Sequence, residues 1–213
     1  MKTDELIAAL AADKGAAGAL PLPRIVSLAW LSGWAVAAAA FFAFIGLRPD
    51  IAAALESPRF VFKVALVVAL AVAACGCVLR LARPGARLGG WRWALLGVAG
   101  AIVAASIVEL AVTAPASWSA RLIGSNVASC LTLIPLLSIA PAIVVLFALR
   151  RGAPTRPGLA GAAAGMLAAA SAAALYALNC TDDSPLFVIV WYTLAGGLVA
   201  TVTGVVGARI LRW

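Results

Sequence analysis

VASCLTLIPLLSIAPAIVVLFAL, residues 127–149, runs for 23 residues without a charged side chain. At about 1.5 Å of rise per residue, a helix of this length reaches across a hydrocarbon core of about 30 Å. Working outward from it, five more stretches meet the same length: Ile25–Leu47, Phe60–Leu79, Trp93–Thr113, Leu159–Leu178 and Leu186–Ala208. The composition agrees. With 65% apolar residues, 11% charged ones and a mean hydropathy of +1.10, the chain has more apolar surface than a water-soluble domain of 213 residues could hide. The reading predicts an all-α polytopic membrane protein, a six-transmembrane-helix bundle with lipid as its solvent.

The gaps between these stretches are short and carry Pro, Gly, Arg or Asp, which leaves no room for a separate soluble domain. Two parts are expected: a short cytoplasmic segment, residues 1–24, and a transmembrane domain, residues 25–213. The opening MKTDELIAALAADKGAAGALPLPR lacks a compact apolar run, so it reads as a retained tail rather than a cleavable signal.

Orientation follows from the basic residues, which are retained on the cytoplasmic side of spans. The tail, the second and fourth loops and the C-terminal end hold twelve: Lys2, Lys14, Arg24, Arg80, Arg83, Arg87, Arg92, Arg150, Arg151, Arg156, Arg209 and Arg212. The opposite side holds four: Arg48, Arg59, Lys63 and Arg121. This bias predicts N-in, C-in topology, both termini cytoplasmic, in an inner membrane. The net charge of +8 is thereby a topology signal, with anionic lipid head groups as a further partner of the basic loops and no direct nucleic-acid role.

Within the spans, Gly161 and Gly165 form a GxxxG step, and Gly196, Ala200, Gly204 and Ala208 recur four apart on one face. Such stripes let backbones approach closely, inside one monomer or across a homodimer contact. Pro135 and Pro141 each remove a backbone donor, so the fourth span is expected to be kinked or locally unwound. Lys63 and Glu109 are the ionisable residues inside predicted spans, both near the outer end. They are candidates for a mutual pair, or for a snorkelling lysine and a carboxylate at a wet vestibule.

Cys75 and Cys77 point to different sides of the second span and read as small packing residues. Cys130, one turn inside the outer end of the fourth span, and Cys180, just past the outer end of the fifth, both reach the outer face. There they fit either a permanent disulfide staple or a reactive sensor pair. The chain has no histidine, so a metal site would combine these thiolates with carboxylates such as Asp182 and Asp183. No cofactor motif is present, and Cys75-Gly76-Cys77 lacks the CxxC spacing of a thiol oxidoreductase.

In the tail, Thr3 is placed to cap a short helix with Asp4 and Glu5 in its first turn and Leu6, Ile7 and Leu10 along one stripe. A helix this short needs something to pack against. The bilayer surface, the basic loops and a partner protein are the choices, and acidic residues beside the stripe favour the protein over anionic lipid.

MKTDELIAALAAD at residues 1–13, NVASCLTLIPLLSIAPAIVVLFALRRGAPTRPGLAGAAAG at 126–165, YALNCTDDSPLFVIVWYTLAGG at 176–197 and the terminal ARILRW together resemble the NrsF-type negative regulators of sigma factors. The resemblance covers essentially the whole chain. It implies a non-enzymatic membrane anti-sigma factor that holds an extracytoplasmic-function sigma factor inactive and releases it under heavy-metal or redox stress. The family's two signature cysteines fall on Cys130 and Cys180, which favours sensor over staple. The residue before the second cysteine is often histidine in the family and is Asn179 here, so thiol chemistry is the expected trigger rather than His-Cys metal coordination. Lys63, Glu109, Asn179, Asp182 and Asp183 are the residues expected to support the thiols, and Leu6, Ile7 and Leu10, with the arginine-rich loops, to meet the sigma factor. The rival reading is a small-solute transporter or channel, for which the spans offer almost no polar lining.

Overall fold

The computed structural model describes residues 3–12 and 20–212. A ten-residue helix, α1 (Thr3–Ala12), precedes the bundle. The spans are α2 (Leu22–Phe44), α4 (Pro58–Leu81), α5 (Trp91–Val112), α7 (Val127–Leu149), α8 (Pro157–Ala177) and a last helix over residues 185–210. Short helices α3 (Ile51–Glu56) and α6 (Trp118–Ile123) lie in the loops on one rim. All six spans are long and apolar enough to cross a membrane, as the hydropathy reading predicts, with boundaries shifted by up to three residues.

Local chemistry sets those boundaries. Proline occupies the first turn of α2, α4, α8 and the last span, where its missing donor costs nothing. α2 stops where Gly46 adopts φ 76°, its amide donating to the Phe41 carbonyl at 2.9 Å in a left-handed cap. The last span is interrupted. It opens with α9 (Pro185–Phe187), passes through a π-helical turn at Val188–Tyr192 and continues as α10 (Thr193–Ile210). α7, by contrast, stays helical throughout despite Pro135 and Pro141, so the local unwinding expected there does not occur.

α8 is the hub. Two-thirds of its span is buried inside the protein (67%), against 17% for α5 on the periphery. α4, α7 and α10 surround it, α2 leans on α7, and α5 leans on α4. The small residues explain the closeness. A Cβ on Gly161 would fall 2.9 Å from the Gly207 Cα, and one on Gly165 would fall 2.9 Å from the Val199 carbonyl oxygen. The stripe therefore serves packing within one chain. In α10 the stripe read in the sequence does meet α8: a Cβ on Gly204 would lie 3.3 Å from the Ala162 Cβ, one on Gly165 3.0 Å from the Ala200 Cα and one on Gly158 3.5 Å from the Ala208 Cβ, with Val199, Thr203 and Gly207 buried beside it, while Gly197 faces open space. At the α2–α7 crossing a Cβ on Gly33 would lie 2.5 Å from the Pro141 Cα. Trp30 adds an interhelical hydrogen bond, donating to the Ser171 hydroxyl at 2.9 Å.

The buried side chains form two clusters. One, toward the rim that carries the termini, centres on Val78, Leu149, Leu167 and Leu211 and has Cys75 packed against it. The other, toward the opposite rim, holds Phe41, Cys130, Tyr176, Cys180, Phe187 and Tyr192.

Candidate functional site: a buried thiol pair under a charged rim

Residues 178–184 cross the rim opposite the termini, between α8 and the last span. The Cys180 amide closes the end of α8 by donating to the Tyr176 carbonyl at 3.0 Å. Two cations then converge on the Cys180 carbonyl. Lys63, whose side chain has no exposed surface, donates to it at 2.8 Å and ion-pairs with Asp183. Arg48 donates to the same carbonyl at 3.3 Å, to Asp183 Oδ2 at 2.8 Å and to both Asp50 oxygens at 2.7 and 2.8 Å. The Phe60 ring lies under both, 5.4 Å from the ammonium and 5.7 Å from the guanidinium. The Arg48 hydrogen bonds hold the Asp50 carboxyl below its ordinary range, and the same bonds push the guanidinium further up.

Asp182 ties the loop to α7. Its Oδ2 accepts from the backbone amides of Ser125 and Asn126 at 2.9 and 2.8 Å and from Asn126 Nδ2 at 2.9 Å. This seats a carboxylate at the N-terminal end of α7, where unpaired amides and the helix dipole favour negative charge. Gly124 makes the approach possible. It sits at φ 62°, and a Cβ there would lie 2.7 Å from the Asp182 carboxylate and from the Phe187 ring. Further ties come from Asn179 Nδ2, which donates to the Gly46 carbonyl at 3.1 Å, and from Ser106 of α5, which donates to the Pro185 carbonyl at 3.4 Å.

Below this lattice lie the thiols. Cys130 and Cys180 are both fully buried in one cluster with Tyr176, Phe187 and Tyr192, and both are free. The sequence places them at the outer face; the structure brings them together but seals them from it. Phe187, Tyr176 and Tyr192 pack with them in that cluster, and the π-helical turn that carries Tyr192 lies against α7 and α5. Burial pushes the Cys180 thiol up, while the Lys63 ammonium pulls against it.

Glu109 belongs to a separate cluster. Its carboxylate is held between Arg59 at 3.0 Å and Arg121 at 2.7 Å, with 5% of the side chain exposed. The pairing of Lys63 with Glu109 considered from their shared depth is therefore replaced by two separate ion clusters. Equal depth does not fix position around the bundle axis. Between the clusters opens a polar vestibule of about 440 Å³ lined by Arg59, Arg121, Thr181, Asp182, Asp183 and Ser184.

Of the residues singled out in the sequence, Lys63, Cys130, Asn179, Cys180, Asp182 and Asp183 thus meet at one place, and Glu109 lies across the vestibule. Among the described residues no three His, Cys, Asp or Glu side chains are grouped to hold a metal ion. Ile7 is 59% exposed on α1, and the side chains of Leu6 and Leu10 lie outside the described residues. Sequence reasoning missed Arg48, Asn126, Tyr176 and Tyr192. One signal was available for Arg48: each of the four basic residues that run against the charge bias is ion-paired, to Asp50, Asp183 or Glu109.

Comparison with known proteins agrees with this arrangement of a polytopic chain. The family described as NrsF, negative regulator of sigma F, matches residues 10–213. The chain is 40% identical to the probable anti-sigma-F factor NrsF of Azospira oryzae and 36% identical to the anti-sigma-F factor NrsF of Caulobacter vibrioides, in both cases over the full length of each protein. No solved structure matches. With a family match across nearly the whole length, and two full-length relatives of that name, the chain belongs to the NrsF family of negative regulators of sigma F.

Proposed function

We propose that this protein is an anti-sigma factor of the bacterial inner membrane, with both termini in the cytoplasm, and that Cys130 and Cys180 are its sensor. It holds an extracytoplasmic-function sigma factor inactive and releases it when heavy-metal or redox stress alters the thiols. The observation that carries this reading is the placement of Cys180. It sits in a loop whose carbonyls and carboxylates are gripped by α4 through Lys63, by the segment after α2 through Arg48 and by the start of α7 through Asp182. A sulfur that changes its bonding there cannot keep its position without disturbing three spans at once. Packed helices respond to such a change by shifting between discrete arrangements.

The partner surface faces the opposite side. Leu6, Ile7 and Leu10 of α1 are the residues for a groove on the sigma factor, and the arginine-rich loops 82–90 and 150–156 share the contact. Coupling of thiol state to sigma binding then amounts to a free energy of about 1–3 kcal/mol shared between the two faces. Two neighbouring thiolates suit a soft cation or a disulfide equally, and both remain within the proposal.

The test pairs a capture with a reporter. A sigma factor should co-purify in stoichiometric amount from detergent extracts and be lost after metal or oxidant treatment. Cys130→Ser and Cys180→Ser should abolish induction of a reporter driven by that sigma factor while leaving capture intact. Normal induction in both variants removes the sensor from the mechanism, and failure to capture any sigma factor under all conditions removes the anti-sigma reading itself.

A further inference from the structure

The thiol chamber contains one polar group with nothing to do. The hydroxyl of Tyr192 is buried and has no hydrogen-bond partner among the described residues. Within the same buried cluster it comes within interaction range of the Cys180 sulfur, as the Tyr176 hydroxyl does, and its ring packs against Tyr176 and Phe187 at centroid distances of 6.1 and 6.3 Å. The neighbouring phenol differs: Tyr176 donates to the Asn126 carbonyl at 3.3 Å. A buried hydroxyl without a partner destabilises a fold, and a phenylalanine would fill the same space without that penalty. The residue owes its inward position to the π-helical turn at Val188–Tyr192, since an inserted residue rotates the following side chains around the helix axis. Such turns recur where a side chain must be aimed for function.

What would satisfy that hydroxyl is a negative charge on the adjacent sulfur. We infer that Tyr192 is a positioning residue of the sensor: its O–H is the hydrogen-bond donor held in reserve for the Cys180 thiolate. When Cys180 ionises, its proton passes to water and Tyr192 keeps its own, turning toward the sulfur to donate a charge-assisted bond. Lys63, already fixed on the Cys180 carbonyl, supplies a second favourable charge. The chamber thus keeps the thiol dormant by burial and carries a built-in means of stabilising the reactive form. This inference rests on Cys180 being the responsive thiol, and it is tested on the sulfur itself rather than on sigma release.

The experiment uses full-length protein in nanodiscs with Cys75→Ser, Cys77→Ser and Cys130→Ala, leaving Cys180 as the single thiol. The probe is methyl methanethiosulfonate, small and membrane-permeant. The thiolate attacks its S–S bond, forms the methyl mixed disulfide and expels methanesulfinate, and intact mass follows the rate at pH 7. Loss of a charge-assisted donor lowers the thiolate population, so Tyr192→Phe should slow the reaction about tenfold. Tyr176→Phe should leave it unchanged. Mere loosening of the packing works the other way, because better access speeds modification. A rate in Tyr192→Phe that equals or exceeds the parent overturns the assignment, and so does equal slowing in Tyr176→Phe. Should Phe at 192 unfold the protein, 3-fluorotyrosine at that position, a stronger donor of nearly the same shape, should raise the rate, and an unchanged rate there also overturns it. Failure of Cys180→Ser to affect the reporter would dismiss the sensor yet leave this rate effect standing, so the two outcomes are distinguishable.

Discussion

Lys63 is a lysine with no exposed side-chain surface in a protein with few charges to spare, and its partner Asp183 is only partly covered (16% exposed). That inequality gives an ordering. Removing the aspartate in Asp183→Leu leaves a fully buried ammonium without its counter-ion, a situation that costs about 3–5 kcal/mol. Lys63→Met should cost less, about 2 kcal/mol, because Asp183 keeps Arg48 and reaches the wet vestibule. Thermal unfolding in one detergent should show the larger drop for Asp183→Leu; the reverse order would contradict the burial described. The two left-handed glycines offer a second comparison. Gly46→Ala meets open space and pays only the backbone term of about 1–2 kcal/mol, whereas Gly124→Ala also pushes into Asp182 and Phe187. Gly124→Ala should therefore be the more destabilising in the same assay. None of this was legible in the sequence. Lys63 and Asp183 are 120 residues apart, and the group on which Lys63 and Arg48 converge beside that pair is the Cys180 carbonyl, which every residue type possesses.

At the scale of elements, the α8–α10 pair holds the bundle together through surfaces with almost no side chain. Gly161, Gly165 and Gly207 are in backbone contact, so Gly207→Leu must force the helices apart. Overpacking of this kind costs about 1–3 kcal/mol in cores that can adjust and more where backbone faces backbone. The variant should lose its sharp unfolding transition or fail to purify as a monodisperse species, while Gly197→Leu, on open surface, should behave as the parent. The GxxxG step in α8 was readable because the spacing lies in one helix. The facing stripe Gly196, Ala200, Gly204 and Ala208 in α10 was readable for the same reason, whereas the tighter seam beside it, at Thr203 and Gly207, was selected only by packing. The π-helical turn was also hidden, since VIVWY differs in no local preference from an ordinary apolar helix.

For the whole molecule, burial of both thiols makes a sharp expectation about access. A bulky impermeant maleimide applied to the outer face should leave Cys130 and Cys180 unlabelled in the folded protein. In a background lacking the native cysteines, Thr181→Cys, one residue away on the exposed side of the loop, should label rapidly in spheroplasts. Rapid labelling only after membrane permeabilisation would reverse the proposed orientation. The same geometry sets the character of the response. With the thiols covered by Phe187 and the Asp182 cap, a reagent reaches them only if it is small or after a local opening, so disabling the cap with Asp182→Ala should speed modification of Cys180 by methyl methanethiosulfonate several-fold.

The sequence by itself determined the six spans, the placement of both termini on one rim and the shared depth of Cys130 and Cys180 near the other. These depend on lengths of apolar chain and on counting crossings, which are properties of a line. Only the tertiary structure decided that Lys63 answers Asp183 and not Glu109, that Asp182 caps a helix starting far away in sequence, and that the thiols are sealed with an unpaired phenol beside them. Those facts depend on rotation about each helix axis and on azimuth within the bundle. A membrane imposes depth on every residue, but it leaves both angles to packing.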